Sequence, residues 1–197
     1  MKYTVKLIFA VLVCLTMVSF GMAAENLDNR TRDIGLYGGV LLPGTISIED
    51  ADEDTEMGFT LKAYFDQFVS PMFSVGVYGQ YAATSTDSPE IVNPSVDVDV
   101  YEFGLTFKPK FMISPTAAIK PGLEIGYRST TVDLSQPGID TSADGLALNF
   151  SAELQFALDG GYLLGLTFGF LAQPTGGTDD ADVTWAPIWY AMAGIVF

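Results

Sequence analysis

Apolar side chains recur at every second position in eight segments of this chain, each about ten residues long or slightly longer, which is the length a strand needs to cross a membrane. In one of them Leu146, Phe150 and Leu154 alternate with smaller or polar residues such as Ser151. Successive side chains of a strand point to opposite faces, so this period predicts β-strands, and no segment shows the 3.6-residue apolar stripe of a helix. The eight segments are 33–43, 57–68, 72–83, 98–109, 117–130, 146–156, 162–173 and 186–197.

The two faces of these predicted strands distinguish a membrane barrel from a soluble one. One face carries large apolar residues, such as Phe103 and Phe150, whereas the other mixes Gly, Ser, Thr and a few charges. A soluble lipocalin-like barrel has the opposite arrangement, with its large apolar residues inside. Aromatic residues near the strand ends match the interfacial girdles of membrane barrels. The membrane barrel is therefore favoured, and the soluble barrel is the alternative.

The first 24 residues have the pattern of an export signal. Lys2 and Lys6 precede an apolar run from Leu7 to Phe20, and the small residues Ala23 and Ala24 follow it. This order predicts a signal peptide at 1–24 and a mature barrel domain at 25–197. A retained membrane helix is the alternative, because the stretch from Leu7 to Ala24 reaches the lower limit of a membrane span.

Long and short connections alternate between the predicted strands. The long ones lie at 43–56, 84–97, 131–144 and 174–184, and the short ones lie near 67–71, 110–116 and 157–161. Elaborated loops at one end and tight turns at the other are typical of up-and-down membrane barrels. We therefore expect an all-β fold, an eight-stranded antiparallel up-and-down transmembrane β-barrel.

The export signal, the eight amphipathic strands, the long acidic loops and the terminal aromatic Phe197 resemble the small outer-membrane barrels of the OmpA/OmpX-like group. The resemblance implies a monomer in the bacterial outer membrane, in contact with its lipid and lipopolysaccharide. It also implies that the barrel assembly machinery reads the last strand, here through Trp189, Ile195 and Phe197.

The charge and the rare residue types exclude several functions. Only Lys2 and Lys6 of the basic residues precede residue 25, so the mature chain has seven basic and 24 acidic residues and a formal charge of −17. Such acidity argues against binding nucleic acid, whose phosphates require a basic surface. The chain has no histidine, and its one cysteine, Cys14, lies in the signal. Without these bases and nucleophiles we predict no catalytic residues, no enzymatic activity and no cofactor.

Charged residues also fall on the inward face of the predicted strands, with equal numbers of each sign. Charges in a narrow lumen must be paired or hydrated, so we expect a network that includes Lys62, Glu102, Glu124, Arg128 and Glu153. A static plug is favoured because eight strands leave little free bore, and a network that rearranges as a gate is the alternative. The inward set is Lys62, Asp66, Glu102, Lys108, Lys120, Glu124, Arg128 and Glu153.

The inner face of the last two strands is partly apolar. A small porin or a hydrophobic-solute channel is therefore the functional alternative to a plugged barrel, and ordinary interior packing explains the same pattern. The residues concerned are Leu163, Leu171, Ile188, Met192 and Val196.

The first long connection is rich in carboxylates, among them Asp50, Asp52, Asp54 and Glu56. Clustered oxygens suit hard cations, so weak binding of a divalent cation is one interpretation. The spacing fails as a calcium loop, since Thr55 stands where the bending glycine is needed. We therefore predict no firm metal site, and a solvated acidic loop is the alternative.

Overall fold

The computed structural model describes residue 27 and residues 30–48, 51–87, 95–133, 140–177 and 183–197, which form eleven β-strands. The strands are β1 (Arg32–Leu41), β2 (Thr45–Ile48), β3 (Ala51–Asp54), β4 (Gly58–Ser70), β5 (Phe73–Asp87), β6 (Ser95–Pro109), β7 (Phe111–Ser114), β8 (Ala117–Asp133), β9 (Asp140–Ala157), β10 (Leu163–Gly177) and β11 (Val183–Val196). Within this part of the chain, no helix is long and apolar enough to cross a membrane.

Eight of the strands close into a barrel. Each pairs antiparallel with its neighbour in the order β1-β4-β5-β6-β8-β9-β10-β11, and β1 also pairs with β11, where Gly38 faces Ala193. The main-chain bonds between Ile34 and Phe197 complete this seam, with N···O distances of 3.1 and 2.9 Å. The predicted eight-stranded antiparallel up-and-down barrel is confirmed. We call the end where residues 71–72, 115–116 and 158–162 lie the short-turn end, and the opposite end the long-loop end.

The wall continues beyond the predicted strand boundaries at the long-loop end. β5 and β6 pair as far as Asp87 and Ser95, and β8 and β9 pair as far as Asp133 and Asp140. The predicted connections 84–97 and 131–144 were therefore too long. These extensions are rich in Ser, Thr, Val and Asp, so they keep a β-compatible composition but lose the apolar alternation that sets the predicted boundaries.

The predicted loop 43–56 contains a hairpin. β2 pairs with β3 and, on its other side, with Val183–Trp185 of β11. Thr55 forms a bridge to Thr86 of β5, beside a 2.7 Å bond from the Glu56 amide to the Ser85 carbonyl. The hairpin thus extends the wall beyond β1 and β4 toward the long-loop end, between β11 and β5.

The outer surface of the barrel is apolar, and the inner surface carries the buried polar and charged side chains. Phe103 is 62% exposed and Leu36 is 54% exposed, whereas Lys62, Glu102 and Arg128 are buried. Water-soluble proteins rarely expose so large a contiguous apolar patch, and this one surrounds the barrel. The arrangement agrees with a transmembrane barrel and rules out the soluble alternative, which has its large apolar residues inside.

Inward-facing glycines make room for two tyrosine rings. A Cβ built at Gly165 would lie 1.7 Å from the Tyr37 hydroxyl oxygen, and one built at Gly35 would lie 2.3 Å from the Tyr64 ring. The two rings stack at 5.8 Å between centroids. The glycines of the polar face therefore let bulky side chains lie across neighbouring strands inside the barrel.

Candidate functional site

The half of the lumen nearer the short-turn end holds the lower cluster of charges, namely Asp33, Asp66, Lys108, Lys120 and Glu153. The Lys120 ammonium lies 2.9 Å from the Asp33 carboxylate and 3.1 Å from that of Asp66. The Lys108 ammonium lies 3.2 Å from Asp66 and 3.5 Å from Glu153. All five residues are buried, so each charge is neutralised by a neighbour rather than by bulk water.

Glu153 also accepts hydrogen bonds from neutral side chains. The hydroxyls of Tyr37 and Tyr64 donate to its Oε1 at 2.6 and 2.7 Å, and the Gln155 amide donates to the same atom at 2.7 Å. The Lys108 ammonium lies 3.4 Å from the centre of the Tyr64 ring, within the range of a cation–π contact. Tyr37 and Tyr64, whose rings lie over the inward-facing glycines, thus provide hydrogen bonds to this carboxylate in addition to its ion pair.

The middle of the lumen holds the upper cluster, namely Lys62, Glu102, Glu124, Arg128 and Asn149. Arg128 donates to Glu102 Oε2 through Nε at 3.0 Å and through Nη2 at 2.7 Å, and Nη2 also donates to Asn149 Oδ1 at 3.0 Å. The Asn149 amide and the Tyr78 hydroxyl both donate to Glu102 Oε1. Charge-assisted bonds of this kind hold the guanidinium in a fixed orientation.

A second ion pair of the upper cluster spans the lumen. The Lys62 ammonium of β4 donates to Glu124 Oε1 of β8, strands that are not neighbours in the sheet. The same ammonium lies 5.1 Å from the centre of the Tyr78 ring and 5.8 Å from that of Tyr190. This contact therefore crosses the lumen between two strands that are not adjacent in the wall.

Two residues that follow the predicted signal, Leu27 and Arg30, contact the short-turn end. Leu27 is fully buried, and its carbonyl accepts a hydrogen bond from the Lys110 ammonium. Arg30 donates to the Gly161 carbonyl and to the Asp33 carboxylate, both at 2.8 Å. This segment therefore contacts the β6–β7 junction, the β9–β10 turn and the lower cluster.

A ring of apolar side chains, here called the apolar collar, lines the lumen on the long-loop side of the upper cluster. Val100 and Val98 follow Glu102 toward the long-loop end of β6, and Ile188 precedes Tyr190 on β11. These side chains pack in one buried hydrophobic cluster. The collar consists of Leu41, Ala82, Val98, Val100, Ala143, Leu171 and Ile188.

The five charges predicted for the lumen network are all buried, but they divide between the two clusters. Glu153 belongs to the lower cluster, whereas the other four belong to the upper cluster. Sequence reasoning missed Asp33 because it lies at the first position of the predicted strand, and it missed Lys110 because it falls in a predicted turn. It also missed Asn149 and Gln155 as neutral hydrogen-bond partners of the charges. Both occupy inward-facing positions of their predicted strand, and that position was the available signal.

The predicted assembly residues lie at the last strand's outer side. Trp189 and Phe197 are 43% and 40% exposed, but Ile195 is only 9% exposed. Trp189 stacks on Phe168 at 5.2 Å, and Phe197 meets Tyr162 edge-on at 5.3 Å. Their recognition by an assembly machinery stays a prediction.

The carboxylates of the predicted cation loop are only partly described. Asp50 lies outside the described residues, and for Asp52 only the backbone is described, where it pairs with Ser47. Asp54 accepts a 3.4 Å bond from Thr45, and Glu56 accepts a 2.9 Å bond from Ser85. Among the described residues, no group of three or more candidate ligands could hold a metal ion.

Comparison with known proteins agrees with this architecture. The family described as outer membrane protein beta-barrel domain matches residues 10–192. Among solved structures, neisserial surface protein A (NspA) is 14% identical, covers 85% of this chain and 96% of its own, and superposes with a TM-score of 0.61. OprG from Pseudomonas aeruginosa is 14% identical, covers 87% and 98%, and superposes with a TM-score of 0.58. These two likenesses show the fold alone. No curated protein sequence matches the chain.

Proposed function

Because the chain belongs to the outer membrane protein β-barrel family, we propose that it is a monomeric integral protein of the bacterial outer membrane with a structural or surface-interaction role and a lumen plugged by paired charges. On this proposal the long-loop end faces outward and the short-turn end faces the periplasm. The protein is not an enzyme, since no base or nucleophile stands out among its residues.

The pairing of the lumen charges is the observation that carries the proposal. The lower and upper clusters follow each other along the axis, and the Lys62–Glu124 pair crosses the bore. An eight-stranded barrel has an interior just wide enough for side chains to fill. An ion passing through would have to separate buried pairs, which leaves uncompensated charges at a cost of about 3–5 kcal/mol each.

Planar-bilayer recording tests this plug. Refolded protein inserted into a bilayer should produce no stable stepwise current, because the pairs close the bore. A general porin in the same bilayer is the positive control, and a shift in gel mobility on boiling verifies that the test protein is folded. Stable openings of the wild-type protein would contradict the plug.

The acidic loops support the surface role. The two lumen clusters hold five carboxylates and four cations, and Arg30 beside Asp33 offsets the fifth carboxylate. The formal charge of −17 therefore resides outside these residues, chiefly in the connections. Divalent cations held weakly by Asp50, Asp52, Asp54 and Glu56 would link the loops to lipopolysaccharide phosphates. Calcium titration of the wild type and of a variant with the three aspartates replaced by Ala tests this link, and equal affinity would contradict it.

A hydrophobic-solute channel is the second candidate, and the apolar collar is the observation that favours it. A small apolar molecule that has passed the acidic loops at the long-loop end would meet Leu41, Leu171 and Ile188 before the charges of the upper cluster. Saturable binding of an apolar fluorescent probe that is lost in Ile188→Asp would support this candidate. Unsaturable binding that is equal in both proteins would leave the collar as interior packing.

A further inference from the structure

Leu27 and Arg30 are attached to three separate points on the rim of the short-turn end. Arg30 donates to the Gly161 carbonyl in the β9–β10 turn, and the Lys110 ammonium at the β6–β7 junction donates to the Leu27 carbonyl. The chain then enters β1 at Arg32. In the ring of eight strands these points lie two to three strands apart. The attachments therefore surround the mouth of the lumen instead of following one wall.

The distance from Leu27 to β1 agrees with a path across the mouth. Eight strands about 4.8 Å apart and tilted by about 40° form a ring about 16 Å across. The five residue steps from Leu27 to Arg32 reach at most about 17 Å when extended. The chain is therefore long enough to bring the Leu27 carbonyl across the opening to the side chain of Lys110.

Inward side chains next to the mouth are shielded from water. Leu163 is the first residue of β10 and Val196 is the last residue of β11, the two are paired, and both are buried. An open mouth would leave such terminal side chains in contact with solvent. Leu27 is buried as well and belongs to the same hydrophobic cluster. A segment lying over the mouth accounts for this burial.

Few groups hold this segment to the barrel. The Leu27 side chain supplies its apolar contact, and an ion pair joins Arg30 to Asp33 at 2.8 Å. In its two other bonds a cationic side chain donates to a carbonyl. Among the described residues, main-chain pairing with β4 starts at the Thr31 carbonyl, which accepts from the Phe68 amide at 2.9 Å. Regions with few buried apolar contacts open locally at low cost, so the segment can leave the mouth while the strands stay paired.

We propose that the segment containing Leu27 and Arg30 is a lid, which closes the short-turn mouth of the lumen and opens without unfolding the barrel. The lid is a second closure of the lumen, separate from the charge pairs of the two clusters. When it is closed, solutes at the short-turn end do not reach Leu163, Val196 or the lower cluster. The proposal does not depend on whether the charge pairs block ions.

Thiol labelling of the refolded mature protein tests the lid. The mature chain is expected to lack cysteine, so Val196→Cys carries a single thiol under the lid. A membrane-impermeant maleimide should label this thiol at least about tenfold faster when Leu27 is replaced by Lys, because an ammonium at this buried site beside Lys110 favours the open lid. Leu27→Met is the matched control, since it conserves volume, and labelling should stay slow. Equal rates with Leu27→Lys and Leu27→Met would overturn the lid.

A thiol at the other end of the lumen distinguishes opening of the lid from loosening of the whole barrel. Ala143→Cys places it in the buried apolar collar, and its labelling rate should be the same with Leu27→Lys and Leu27→Met. Faster labelling of both thiols in the Leu27→Lys protein would indicate general loosening and would overturn the lid. Heat-modifiable gel mobility should show that every variant is folded. If Leu27→Lys prevented folding, Leu27 would be part of the barrel core, which would also overturn a lid that opens independently.

Discussion

Arg128 and Glu102 lie directly opposite each other on neighbouring strands, and two nitrogen atoms of the guanidinium bind one carboxylate oxygen at 3.0 and 2.7 Å. Both side chains are buried, so neither charge can be satisfied by bulk water when its partner is removed. Cross-strand pairs contribute to sheet stability. When an ion pair is buried, removing one partner also leaves the other charge uncompensated, which lowers stability further.

Replacement of Arg128 by Ala should therefore lower the free energy of unfolding by about 3–5 kcal/mol, because Glu102 keeps a buried charge without its cation. Urea unfolding of the refolded protein in detergent measures the change. Arg32→Ala is the control, since Arg32 is exposed, and it should change stability by less than about 0.5 kcal/mol. A small effect at Arg128 would mean that water reaches the upper cluster.

The pair of Lys62 and Glu124 should respond differently when both partners are replaced. Glu124 Oε2 is buried and forms no hydrogen bond with any described residue, so this carboxylate is less well satisfied than Glu102. Glu124→Leu alone should destabilise the barrel by about 3–5 kcal/mol, whereas Lys62→Met with Glu124→Leu should restore or exceed wild-type stability. A double-mutant cycle from urea unfolding measures the coupling, and purely additive losses would contradict it.

Gly165 should tolerate no side chain. The Cβ of Gly165→Ala would lie 1.7 Å from the Tyr37 hydroxyl oxygen, so the ring must move and its bond to Glu153 must break. Overpacking of this kind costs about 1–3 kcal/mol, and loss of the buried bond adds to it. Thermal unfolding measures the change, with Gly79→Ala as the control, which should be neutral or stabilising. Equal melting temperatures for the two variants would show that the Tyr37 ring moves freely.

Much of this architecture could be predicted from the sequence, because the period of apolar residues sets both the strand count and the direction of each side chain. The opposition of Glu102 and Arg128 follows once the register of two hairpin-connected strands is known. The Lys62–Glu124 pair does not, because it joins strands that are not neighbours and depends on closure of the whole barrel. The β2–β3 hairpin was missed for a different reason. Its alternation is limited to Ile46 and Ile48 in a four-residue strand, and the partner strand Ala51–Asp54 is mostly acidic.

The terminal aromatic provides a test of assembly that is separate from stability. Phe197→Ala and Phe168→Ala each remove one outward ring from an aromatic pair, with Tyr162 and Trp189 respectively. Each loss should cost about 0.5–1.5 kcal/mol beyond the buried area, so the two variants refolded in detergent should have similar stability. If the assembly machinery reads the last residue, only Phe197→Ala should accumulate less folded barrel in cells, scored by heat-modifiable gel mobility of outer-membrane fractions. Equal amounts of both variants would mean that Phe197 acts as an ordinary interfacial aromatic.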